Sequence, residues 1–100
     1  MANFYVHVLD DATNMALTPP VQSLRVTPGA NSTATAALTG GDRQPRICRI
    51  VADEDVQFVW GPADSGDPVA DADSLFLPAG VVEYVQAEAG QKFAVVQKQA

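Results

Sequence analysis

One hundred residues with a formal charge of −6 and an apolar share of 47% make one domain, residues 1–100, with a single thin core and little room for a deep pocket. The charge is uneven: residues 1–52 carry four arginines against three aspartates, and residues 53–100 carry nine acids against two lysines. That balance argues against nucleic acid as a partner, because an acidic face is repelled by phosphates; it leaves two readings open, a charge that only keeps the chain in solution and a face that meets a basic protein surface.

The N-terminal "MANFYVHVLDD" has no basic region and only a short apolar run, which fits neither a signal peptide nor a membrane anchor. No membrane partner is expected. "FYVHVL" (Phe4 to Leu9) reads as the first strand. "DDATNMAL" (Asp10 to Leu17) admits a short helical turn capped by Asp10 or Asp11. Strands are then expected at "VQSLRVT" (Val21 to Thr27), "STATAAL" (Ser32 to Leu38), "RICRIVA" (Arg46 to Ala52), "VQFVW" (Val56 to Trp60), "SLFL" (Ser74 to Leu77), "VVEYVQ" (Val81 to Gln86) and "KFAVVQ" (Lys92 to Gln97). Pro19-Pro20, Pro28-Gly29, Gly40-Gly41, Gly61-Pro62, Pro78 with Gly80, and Gly90 all fall between these runs, as turn residues should. The fold class is therefore all-β: a small β-sandwich or jelly roll of about eight short, mainly antiparallel strands.

Two hairpins are expected. Around Asp53-Glu54-Asp55, a three-residue loop would pair Ala52 with Val56, Ile50 with Phe58 and Cys48 with Trp60, sending all six to one face. At the carboxyl end, a bulged turn at Glu88-Ala89-Gly90 opposes Tyr84 to Ala94 and Val82 to Val96, with Gly90 at positive φ; a two-residue turn opposes Tyr84 to Phe93 and Val82 to Val95. Both registers remain open at this stage.

Few residues offer chemistry. His7 is the single histidine and lies mid-strand, where a structural or surface role competes with that of a general base. Cys48, the only cysteine, precludes an intrachain disulfide and reads as a small buried hydrophobe; one His and one Cys supply no closed zinc site. Asp64, Asp67, Asp71 and Asp73 in "GPADSGDPVADADS" offer the hard oxygens calcium prefers, without the ligand order of an EF-hand. Glycine-rich phosphate cradles are absent from "GANSTATA" and "LTGGDR". No catalytic constellation, cofactor or metal is expected, and the chain reads as a non-enzyme. Among the aromatics, Trp60 is expected to pack in the core, leaving Tyr5, Phe76 and Tyr84 as candidate contact residues.

The blocks "RICRIVADEDVQFVWG" and "LFLPAGVVEYVQAEAGQKFAVVQ" resemble a pattern in small virion proteins of tailed bacteriophages. It runs from an arginine-and-isoleucine strand through a short acidic turn, a strand ending in glycine, a variable loop and "LPAG" to an acid-aromatic pair and a glycine before a final valine-rich strand. The resemblance covers roughly the second half of the chain. It implies a capsid decoration or cement subunit that binds the outside of an assembled shell. The implied partners are the major capsid protein and copies of the chain itself, as dimer or trimer, and the implied location is the virion surface after synthesis in the host cytoplasm. It further implies contacts through the Phe4 to Leu9 arm, with Phe4 and Tyr5, and through the Gly61 to Ser74 loop, with Asp64, Asp67, Asp71 and Asp73. Strand-edge aromatics Phe76 and Tyr84 complete the set. An alternative reading is a tail or host-surface binding module that uses the acidic loop with calcium or sugar.

Overall fold

The computed structural model describes residues 2–9, 22–39, 46–62 and 66–98. The expected turn over Asp10 to Leu17, the Pro19-Pro20 and Gly40-Gly41 breaks and Asp64 lie outside those residues. Eight strands follow one another: β1 (Phe4–Val8), β2 (Gln22–Val26), β3 (Thr33–Ala34), β4 (Arg46–Ala52), β5 (Val56–Pro62), β6 (Leu75–Leu77), β7 (Glu83–Ala87) and β8 (Gln91–Gln97). They form two four-stranded sheets, ordered β2-β1-β4-β7 and β3-β8-β5-β6, with every pairing antiparallel. The all-β expectation holds, and the strands fall where the sequence places them to within a few residues.

Neither expected hairpin forms. β4 pairs with β1 and β7 in one sheet, whereas β5 pairs with β8 and β6 in the other. Residues 53–55 therefore turn a corner between layers, and Glu88–Gly90 do the same between β7 and β8. Both C-terminal registers are thus replaced: Tyr84 pairs with Arg49, Ala94 with Val59 and Phe93 with Trp60. The physical reason is reach. Three residues between two strand ends span about 13 Å at roughly 3.3 Å per step, enough to bridge sheets about 10 Å apart. A corner and a hairpin also preserve the same alternation, so Cys48, Ile50, Ala52, Val56 and Phe58 still point inward and are buried, now facing one another across the sandwich.

The corners are closed by glycines in the left-handed region. Gly90 has φ +87° and donates its N–H to Leu38 O at 2.8 Å; Gly80 has φ +77° and donates to Ala52 O at 2.8 Å. The positive φ expected at Gly90 is present, and L side chains reach that region only with strain.

The core lies between the sheets. Phe4, fully buried at the start of the central strand β1, packs within ring-centroid distances of 6.2 Å from Phe58 and 6.3 Å from Phe93 on the other sheet. Trp60 stacks on both of those rings at 5.9 Å and is half-buried, with its Nε1 donating to Gln86 O at 2.9 Å.

The connectivity is a folded ribbon. β5 pairs with β6, β4 with β7 and β3 with β8, as successive rungs of one long antiparallel hairpin wrapped over itself, the plan of a jelly roll. A fourth rung would pair β2 with a ninth strand following β8. β1 occupies that place instead, hydrogen-bonded between β2 and β4.

Candidate functional site

The outward faces of the two sheets differ because different sequences cover them. On the β3-β8-β5-β6 sheet, outward Val59, Ala94 and Val96 are apolar, and a strap formed by residues 66–74 lies over them through Ala70. Three polar contacts pin the strap: Gln57 Nε2 donates to Ala72 O at 2.8 Å, Ala70 N donates to Ser32 Oγ at 2.9 Å, and Lys92 Nζ meets Asp67 Oδ1 at 2.8 Å. Gln57 is buried, and its amide gives the strap carbonyl the partner that burial would otherwise cost it.

The other sheet's outward side chains are set by register. Ser23, His7, Arg49 and Tyr84 form one row across all four strands, and Arg25, Tyr5 and Val51 form the next. No carboxylate occupies an outward position on these strands. Arg49 Nη2 lies 3.5 Å from His7 Nδ1, and the Tyr5 ring stacks on the imidazole at 6.4 Å. Partial burial, and then the Arg49 guanidinium, push the His7 pKa below its ordinary value, because each disfavours the imidazolium. The neighbour of His7 is thus a cation and not the orienting carboxylate of a catalytic base. Cys48 is buried in the core, which drives its thiol pKa up to about 11 and keeps it a protonated hydrophobe.

The two flanks of the sandwich are closed unequally. Where edge strands β2 and β3 meet, Gln22 ties one sheet to the other: its Nε2 donates to Ala37 O at 3.2 Å and its Oε1 accepts from Thr39 N at 3.0 Å. On the opposite flank the edges are β6 and β7, and the tie is the Trp60–Gln86 hydrogen bond at one end. Beyond that tie a groove of roughly 230 Å³ runs between the sheets, lined by Phe58, Leu75, Phe76, Glu83 and Val85. Leu75 and Glu83 both occupy inward register positions, opposite Phe58 and Ile50, yet both are exposed, Leu75 to 57%, because each sheet ends there. Leu75, Phe76, Val81, Val82 and Tyr84 give this flank five of the six large exposed hydrophobics among the described residues; the sixth is Val69 of the strap.

No family model, curated protein or solved structure matches this chain.

The sequence-predicted contact residues therefore separate. Phe4 is fully buried and reaches no outer surface of the chain. Tyr5 sits on the basic outward face, its hydroxyl 3.4 Å from Asp53 Oδ2. Asp67 is engaged by Lys92, and Asp71 Oδ1 accepts from Asp73 N at 2.9 Å and from Ser74 Oγ at 3.3 Å, so part of the acidic loop's oxygen capacity is spent inside the strap. Among the described residues, no three His, Cys, Asp or Glu side chains gather as metal ligands would. Phe76 and Tyr84, on outward positions of different sheets, bracket the β6–β7 groove. Leu75, Val81, Val82 and Glu83 were not singled out from the sequence. The signal was present in the departures from alternation: "LFL" is apolar on both faces, and "VV" precedes "EY" with no polar break.

Proposed function

We propose that the chain is a structural virion protein that binds the outside of an assembled phage shell and stabilises it, with the β6–β7 flank as its main protein-contact surface. One observation carries the reading. The exposed hydrophobics Leu75, Phe76, Val81, Val82 and Tyr84 all fall inside the block "LFLPAGVVEYVQ" on which the resemblance to decoration proteins rests. Five exposed large hydrophobics drawn from one twelve-residue stretch of a small domain are a partner surface or an aggregation liability, and we read them as a partner surface. Such a subunit works by repetition: each copy makes modest contacts with shell subunits already fixed in register, and the symmetry of the shell sums them into resistance to rupture.

The test is direct. Purified protein is mixed with undecorated shells, and bound stoichiometry and rupture temperature are measured. Saturable binding with a raised rupture temperature is expected, and Val82→Asp, which places a charge on the exposed strip, should weaken binding about tenfold or more, or about 1.4 kcal/mol. Shells that bind no wild-type protein would refute the role.

A further inference from the structure

We propose that the groove between β6 and β7 receives an extended segment of a partner protein as an added strand along Glu83–Val85, and that this segment alternates apolar with basic side chains. The inference rests on the reading of this flank as a contact surface and names what it holds.

Backbone geometry supplies the first reason. Among the described residues β7 pairs on its β4 side only, so its other edge turns the N–H and C=O of alternate residues, Tyr84 and Gln86, toward a strand laid beside it. Trp60 pins the carbonyl of Gln86 and so marks where the open stretch stops. A strand placed along Glu83–Val85 sends every second side chain toward the groove, against Phe58, Leu75 and Val85.

Charge decides what the segment carries. Glu83 stands at an inward position of an edge strand, at the groove mouth, where a carboxylate deters pairing by neutral or acidic strands. The same carboxylate rewards a lysine or arginine set into that position, so it selects as well as deters. The chain's formal charge of −6 adds a general attraction for a basic segment, set against Lys98, which lies 5.2 Å over the Phe76 ring at the groove. A second copy brings the same acidic strand and another formal charge of −6, so electrostatics favours a different chain.

Two blocked seven-residue peptides test the proposal, one alternating valine with lysine and the other valine with glutamate, titrated into the isotope-labelled full chain at low salt. The lysine peptide should bind at least tenfold more tightly, shift the amides of Glu83, Tyr84 and Val85 and slow hydrogen exchange at Tyr84, whose N–H faces the open edge. Glu83→Lys should reverse the preference, with Glu83→Gln erasing it if the lysine variant does not fold. Equal affinities, no binding, or shifts confined to other strands would overturn the proposal. So would concentration-dependent self-association that perturbs the same amides, since the occupant would then be a second copy. The shell assay keeps the two ideas apart: shell binding without peptide binding removes only the added strand, and peptide binding without shell binding removes only the decoration role.

Discussion

At the level of single side chains, His7 joins local chemistry to folding stability in a way that can be measured. Its folded-state pKa is lowered, first by burial and then by Arg49. In the unfolded chain it returns to about 6.5. Above that pH the imidazole is neutral in both states. As the pH falls below it the unfolded chain takes up the proton first, so stability is lost progressively as the pH passes down through the folded-state value. A ring-proton titration by NMR should place the His7 midpoint below 6.5. Arg49→Gln should raise it only part of the way, because the larger cause, burial, remains. A midpoint at or above 6.5 in the wild type would contradict the packing described for this row. None of this was visible in the sequence, where His7 and Arg49 are 42 residues apart and only the β1–β4 register brings them together.

Among the strands, β3 shows how a two-residue ladder is made to hold. Thr33 and Ala34 pair with Val95 and Ala94, after which regular pairing stops, yet contact with β8 continues through Thr35. Its N–H donates to Phe93 O at 2.7 Å, and its hydroxyl oxygen accepts from Phe93 N at 3.1 Å while donating to Ala36 O at 2.8 Å. The side chain thus replaces a missing backbone acceptor in a buried setting. Thr35→Val keeps the shape and removes the oxygen, leaving the Phe93 N–H without its partner; urea unfolding should show a loss of about 1–3 kcal/mol. Thr35→Ser should recover most of it. The sequence gives β3 seven residues because "STATAAL" alternates, but small alanines bury too little area to hold a long edge strand in register. Elsewhere the alternation was a better guide to faces than to partners. It placed Cys48, Ile50, Val56 and Phe58 on the core side, and it was silent on which strand each would pair with, because hairpin and corner demand the same period. The exposed flank was harder to read for a related cause: Leu75 and Glu83 obey the inward pattern, and only the end of the sheet exposes them.

For the whole molecule, the position of β1 is the distinguishing feature. The chain near both ends of the described structure meets the same corner. Asn3 N donates to Asp53 Oδ2 at 3.1 Å and Lys98 N donates to Asp55 O at 3.2 Å. Joining these ends with a glycine-serine linker of about six residues and opening the chain within residues 10–21 would move β1 to the last place in the sequence, as a fourth rung on the ribbon. Such a permutant should keep the amide spectrum of the core strands and melt cooperatively. An unfolded product would mean that the β1–β2 connection does more than join two strands. Circular permutation is tolerated where the joined ends lie close together, and here Asn3 and Lys98 meet the same corner.

The same plan sets a timetable for synthesis. β8 lies between β3 and β5, so their shared partner has not yet been made when those two strands leave the ribosome. Three of the four strands of the first sheet, β2, β1 and β4, can assemble early, but the second layer waits for β8, and until then Phe4 and Trp60 lack Phe93, the ring that packs on both. Folding of this chain is therefore completed after most of it has been translated, and the interval before β8 arrives is when chaperones would find it.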